Sequence, residues 1–408
     1  MAAAPGRDVA VVTPWLPTRV RPAMGAFVQS MLDATVPGCD SMDVYHCDEW
    51  PIDVGEEDRG RIDGALHELI PRARHWRPAG ERVRRLHLPV PLTFQLGYDE
   101  IARRHAAVVR TALDGRPLPQ SVVHAHVGLP SGWAAMVNAR PDARIFVTEH
   151  ASYLDKLLDQ PGSRAMYDEL LHRCSGLFAV GEAVRRPLVA AFPHHADRIT
   201  IVPNAVSFAD RRTEPVTQLH RWLYAGRLIP AKGVTTLLEA FAQCHAENGR
   251  LTLTFAGDGP LLKTLKERTA ELGLTGAVTY AGMLRHDEAL ALMRRHDLLV
   301  HPSHFETFGM VVVEAAAAGL PVLVTRCGGP EESLAGIESD AGELVAIEDA
   351  PDALVEGYRR LRDRFPHGMD LAKARATLAD RYSYDAVAQA HARAWFPATP
   401  ALDAVVTA

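Results

Sequence analysis

Cysteine is scarce and scattered. Cys39, Cys47, Cys174, Cys244 and Cys327 are odd in number and form no Cys-x-x-Cys pair. The spacing spells neither a zinc knuckle nor a redox couple, and buried thiols are expected. Positive charge is not in excess, since 44 Lys and Arg face 50 Asp and Glu for a net charge of −6. General attraction to nucleic acid or to an anionic membrane is thereby excluded. Lysine is confined to positions 156, 232, 263, 266 and 373. Long apolar runs are missing too: the longest, 310–325, is interrupted by Glu314 and by Gly319-Leu320-Pro321. It falls short of the roughly 20 residues that span a bilayer. The opening MAAAPGRDVAVVTPW sets Arg7 and Asp8 before a short apolar run, too short for a secretory leader. A cytoplasmic location is the expectation. The two halves share no sequence-level repeat, and low-complexity tracts are absent.

What is present is length and apolar content: 408 residues, 47% hydrophobic. A chain of this size outgrows one core and predicts two domains. Short β-branched runs alternate with helical patterns, at 8–13, 122–126, 144–148 and 177–180, then at 222–226, 251–257, 278–282, 297–303 and 320–325. Continuous apolar strands separated by helices predict parallel sheets covered on both faces. The polar, Pro-containing stretch at 201–218 marks the boundary. Residues 1–205 are expected to form one Rossmann-like domain and 206–382 a second, with 383–408 a final helix and tail packing back across the junction.

Open parallel sheets bind ligands beyond the carboxyl ends of their strands. Arg227 follows one strand, and Lys232-Gly233 opens the next helix. Two cations beside a helix N-terminus suit a phosphate or diphosphate, or else are two solvated charges. Asp258-Gly259-Pro260 predicts a tight turn with Pro at the first helical position. The segment HPSHFETFGMVVVEAAAAGLPVLVT, 301–325, poses the sharpest question: it predicts a helix apolar on every side from Met310 to Ala318 with Glu314 in its middle. A buried carboxylate without a partner costs several kcal/mol, so something must meet Glu314. Glu306 is expected in the loop above the strand ends, facing the same cleft. His150 sits at a strand end in VTEHASY, where a catalytic reading competes with a core one. His126 and Asn204 are weaker candidates of the same kind.

Glu306 and Glu314 together resemble the Glu-x7-Glu signature of retaining GT-B glycosyltransferases, in particular family 4. AGRLIPAKG, FAGDGPL, VTYAGML, GGPEE and AGELV fit it in order. PAMGAFVQ, HAHVGLPSGWAA, AVGEAVRRPL and IVPNAV resemble it more loosely, and the likeness spans about 8–395. One departure is Met24-Gly25, where many relatives carry two glycines. The resemblance implies an α/β GT-B fold: two Rossmann-like domains facing each other across a cleft, with a C-terminal helix crossing back. It implies that Glu314 reads the ribose diol, whose hydroxyls would be its partners, with ordered water or a backbone donor serving without nucleotide. Glu306 would hold the transferred sugar, and Arg227 and Lys232 the diphosphate. His150 would stand near sugar and acceptor. Gly25, Asn204, Gly257, Gly259, Met283, Phe308 and Gly309 would complete the donor site, and Met24, Gly25, His126 and His150 the acceptor side.

The implied activity is hexosyl transfer from a nucleoside-diphosphate sugar, UDP-sugar before GDP-sugar, to a small polar or natural-product acceptor. No cofactor or metal is expected, in keeping with the absence of an Asp-x-Asp motif. A monomer or homodimer without nucleic-acid or membrane partners is expected. The Arg-rich stretch 72–87 reads as a solvated linker running into a strand, with a lipid or anionic acceptor as the alternative. A nucleotide-sugar epimerase or hydrolase, and a non-catalytic nucleotide-sugar-binding subunit, are the rival readings.

Overall fold

The computed structural model describes residues 6–52, 76–93 and 96–397. Residues 72–75 of the Arg-rich stretch and the tail from 398 onward lie outside this set.

Alternation of apolar runs and helices produces two sheets. The first contains β1 (Asp8–Thr13), β2 (Ser41–Ile52), β3 (Arg77–Pro78), β4 (Val83–Thr93), β5 (Val122–His126), β6 (Arg144–Glu149), β7 (Gly176–Ala179) and β8 (Ile199–Ile201). The order across it is β3-β4-β2-β1-β5-β6-β7-β8, parallel except for the short hairpin partner β3. The second contains β9 (Arg221–Ala225), β10 (Thr252–Ala256), β11 (Val278–Gly282), β12 (Leu298–His301), β13 (Val322–Thr325) and β14 (Gly342–Val345). Its order is β11-β10-β9-β12-β13-β14, wholly parallel.

Each sheet therefore reverses its winding direction once, between β1 and β5 in the first and between β9 and β12 in the second. Crossover helices leave in opposite directions at such a point, so a crevice opens beyond the strand ends. Such crevices are where a sheet of this kind characteristically holds ligands.

The expected elements are largely in place. Helix Met310–Ala318 has the predicted limits, and Val312 to Ala318 are buried all round it. All five cysteines are free and buried. Several boundaries shift by a residue or two, and two differences have a local cause. The strand expected over 297–303 ends at His301, because Pro302 cannot donate the next ladder hydrogen bond. Pro260 is not a first helical residue: the helix it was assigned to runs Leu262–Glu271. The turn ahead of it is set instead by Asp258, whose side chain accepts from the Gly259 N–H at 2.7 Å.

The last helix, Tyr384–Trp395, crosses to the first sheet. Its Val387 and Trp395 join the cluster of Val9, Val11, Val28, Leu32 and Phe178. Trp395 is 1% exposed and its indole N–H donates to His124 Nδ1 at 3.2 Å. A second contact joins the halves at the front: Glu332 in the GGPEE segment accepts the Glu182 N–H at 2.7 Å. That N–H opens helix Glu182–Ala191, so a carboxylate of the second domain satisfies an orphan helix donor of the first. Trp395→Ala is expected to lose about 3–5 kcal/mol, the range for removing a buried aromatic side chain. Denaturant unfolding followed by circular dichroism checks it.

Candidate active site

The reversal in the second sheet gathers the predicted donor residues. Exposed Arg227 follows β9, and Lys232 ends a 3₁₀ turn, Pro230–Lys232, ahead of helix Val234–Glu247. Gly233 between them has φ 62, and a Cβ there would lie 2.1 Å from the Pro302 carbonyl oxygen. Only glycine lets the loops after β9 and β12 approach this closely. Glu306, in the loop after β12, is clamped through its backbone: its N–H donates to Cys327 at 2.8 Å and its carbonyl accepts from Gly329 at 2.9 Å.

Lys232 and Glu306, assigned to separate parts of a donor, meet each other here. Lys232 Nζ lies 2.5 Å from Glu306 Oε1, and His301 Nε2 donates to the same oxygen at 2.7 Å. Burial by itself would raise the Glu306 carboxyl. The His301 hydrogen bond and the Lys232 charge outweigh it and hold its pKa down to about 2. Glu306 is thus a fixed anion at any physiological pH. Arg227 enters no salt bridge among the described residues, so its charge is uncommitted.

Glu314 is 8% exposed, and a side chain meets it. His286 Nε2 donates to Glu314 Oε1 at 2.8 Å. A side chain on helix His286–Met293 reaches across to the carboxylate, a partner the sequence did not suggest. The Glu314 hydrogen bond raises the His286 imidazole above its ordinary value although burial opposes it.

The other donor-side residues are spread around this centre. Gly257 follows β10 with its N–H on the Gly282 carbonyl at 2.8 Å, and Gly259 closes the turn behind it. Phe308 is buried and Gly309 begins helix Met310–Ala318. Met283 is 48% exposed after β11. Asn204 is buried beyond β8, in the segment joining the two sheets.

On the other side of the cleft, the reversal between β1 and β5 places Met24 and Gly25 at the start of helix Ala26–Thr35 and His126 at the end of β5. His126 Nδ1 and His150 Nε2 share a hydrogen bond of 2.9 Å. Phe27 packs on His150, ring centroids 4.5 Å apart. Burial, with His391 adding to it, pushes His150 down to about 3, so its imidazole is neutral at working pH. His126 Nε2 and His150 Nδ1 are buried and have no partner among the described residues. The expected strand after the Arg-rich stretch forms as β4, but residues 77–78 pair back on it as a hairpin and are no solvated linker, with Trp76 packed on Tyr45 and under Arg84.

Sequence reasoning missed His286 and His301, and it also missed Glu149. This carboxylate, 0% exposed, accepts from the Gly128 N–H at 2.8 Å, the Tyr167 hydroxyl at 2.7 Å, and the His150 and Ala151 N–H groups at 2.9 and 2.8 Å. Val127, beside Gly128, has φ 68, a strained backbone for a β-branched residue. Glu149 is therefore the brace that holds the His126 and His150 loops together. The available signal was its place next to His150 at a strand end. His286 lies 28 residues from Glu314 and left no pattern to follow.

Two family models match the chain: "Glycosyltransferase Family 4" over residues 63–209 and "Glycosyl transferases group 1" over 209–374. The chain is 29% identical over 330 residues to a glycogen synthase of Mycobacterium tuberculosis, covering 76% of this chain and 78% of that one. Its fold is that of sucrose-phosphate synthase from Thermosynechococcus elongatus, with a TM-score of 0.71 at 16% identity, covering 95% and 98% of the two chains. It is also that of Anabaena HepE in complex with UDP-glucose, with a TM-score of 0.66 at 20% identity over 95% and 98%.

Glu149→Gln places a donor against four donors and leaves at least one buried group unpaired. It is expected to destabilise by about 1–3 kcal/mol, more than Tyr167→Phe, which leaves three of the four donors in place; unfolding curves of the two variants check the order. His286 is expected to titrate above its ordinary 6.5. The stability it contributes is complete below that value and lost as pH rises through the folded pKa. Imidazole NMR shifts report the midpoint, and Glu314→Gln should return it toward the ordinary value.

Proposed function

The chain belongs to the family 4 glycosyltransferases of the GT-B fold, and from that premise we propose that it is a retaining, metal-independent hexosyltransferase. Its donor is a nucleoside-diphosphate sugar, UDP-linked before GDP-linked, and its acceptor is a hydroxyl of a small polar or natural-product molecule in the cytoplasm. The observation that carries the proposal is the convergence of Lys232, Glu306 and the Glu314–His286 pair on one sheet reversal.

Each group then has a task. The Glu314 carboxylate takes the ribose hydroxyls, releasing His286. The diphosphate takes Lys232 and Arg227, and Glu306, freed from Lys232, takes hydroxyls of the transferred sugar while His301 keeps its orientation. As the anomeric bond breaks, negative charge grows on the leaving phosphate, where fixed cations lower the barrier most. The acceptor hydroxyl attacks on the face the diphosphate leaves, and a phosphate oxygen receives its proton. With His301 and the sugar hydroxyls on its carboxylate, Glu306 is not left free to serve as a nucleophile. The unpaired Nε2 of His126 and Nδ1 of His150 offer hydrogen bonds to sugar or acceptor hydroxyls. A cavity of about 530 Å³ beside helix Ala26–Thr35, lined by Gln29, Asp33, Arg82 and Arg85 among others, offers room for a polar acceptor.

The test is a thermal-shift series with UDP, GDP, ADP and dTDP on wild type and Glu314→Ala. A ligand at about 100 times its Kd stabilises by roughly 2.7 kcal/mol. One nucleotide should raise Tm, and the rise should shrink in the variant. No rise with any of the four would sink the donor-site assignment. With the donor identified, NMR of the product should show the donor's anomeric configuration kept; free sugar formed at a rate indifferent to every acceptor would favour a hydrolase.

A further inference from the structure

The first domain carries a second cluster of chemically capable side chains, on the far side of helix Pro161–Arg173 from the Glu149 brace. Asp168 of that helix faces His194 and His195 of the 3₁₀ turn Pro193–Arg198. His194 Nε2 and His195 Nε2 stand 2.8 and 3.3 Å from the same carboxylate oxygen, Asp168 Oδ1. Side chains of adjacent residues usually diverge, yet these two rings lie with centroids 4.2 Å apart and converge on one point. A third imidazole, exposed His172, lies one helical turn beyond Asp168, with its ring 6.2 Å from that of His195.

The cluster does not hold itself together. Arg198 donates to the carbonyls of Leu171, His172 and Cys174 at 3.2, 2.7 and 3.0 Å. Arg164 donates to the Ala191 carbonyl at 2.8 Å. Arg198 therefore ties the helix to the turn and Arg164 ties it to the end of the helix that precedes the turn, Glu182–Ala191, and the three ligand atoms, all within 4.8 Å of one another, are arranged before anything binds. Donor atoms around one zinc lie roughly 3.3 Å apart at its usual bond lengths, and the two distances to Asp168 Oδ1, 2.8 and 3.3 Å, are of that order.

We propose that Asp168, His194 and His195 form a binding site for a divalent transition metal of the zinc, cobalt or nickel class. Two imidazoles and one carboxylate on one side of the ion leave its remaining positions to water or to His172. The His194 Nε2 proton now given to Asp168 moves to Nδ1 or to solvent, and the ion takes its place between the rings and the carboxylate. Calcium and magnesium, which demand oxygen ligands, are not accommodated. The ion would staple the helix to the turn. It lies apart from Lys232, Glu306 and Glu314, and transfer chemistry does not pass through it.

The experiment uses the full chain without a histidine tag, stripped with EDTA and dialysed. Cobalt is titrated by visible absorption and zinc by calorimetry, with calcium and magnesium as controls. Saturable binding of one cobalt or zinc is expected, weakened at least about tenfold in His194→Ala and in Asp168→Asn. His194 is 60% exposed at its side chain, so that variant should fold normally, and an unchanged circular dichroism spectrum verifies it. Absence of saturation in the wild type, or wild-type affinity in both variants, would overturn the site.

Discussion

A carboxylate withdrawn from water must be met by something, and much of this molecule's interior is arranged around three that are. Glu149, Glu306 and Glu314 all sit just beyond strand ends or within a buried helix, where desolvation is costly. Each is met differently. Glu149 has four neutral donors and no cation, a brace among backbone amides. Glu306 has a lysine and a histidine. Glu314 has one histidine. The first arrangement uses donors that belong to the loops themselves and holds them in shape. The other two use side chains that can turn away, which is the difference between a scaffold and a site.

Sheet topology puts these groups where they are. Both sheets reverse between their first strand and the one that follows the outer set. At one reversal the chain delivers His126 and the turn before helix Ala26–Thr35, and at the other Lys232 and Glu306. The helix Tyr384–Trp395 and the Glu332 contact to Glu182 then tie the two halves front and back. A buried core that runs through Ala125, Leu129, Phe308, Val312 and Tyr382 makes the junction continuous.

The fold was legible because parallel strands buried on both faces leave continuous apolar runs, and the helix around Glu314 because nothing in it could face water. The site was legible as residue types after strands. What could not be read was how those residues satisfy each other before a ligand arrives. His286 and Glu314 come from different helices, and Lys232 and Glu306 from loops after different strands. Such contacts depend on tertiary approach distances that no local pattern encodes. Glu149 was passed over for a related reason: a glutamate at the end of a strand reads as polar surface unless the left-handed backbone at Val127 is known to need an anchor.

The self-paired state bears on how donor binding relates to catalysis. Opening the Lys232–Glu306 pair loses a short, largely desolvated contact, and breaking such a pair without replacement costs about 3–5 kcal/mol. On the proposed reading, a diphosphate and a sugar hydroxyl replace what each partner loses, so the exchange adds little net affinity for the ground state. As the anomeric bond lengthens, the phosphate gains charge and its attraction to Lys232 and Arg227 grows, while the sugar's contact with Glu306 stays about constant. Interaction energy restrained in the resting site is then expressed in the transition state, where it raises turnover instead of merely tightening the donor. The pair that keeps two buried charges stable without ligand is also what keeps the site from binding its donor too well.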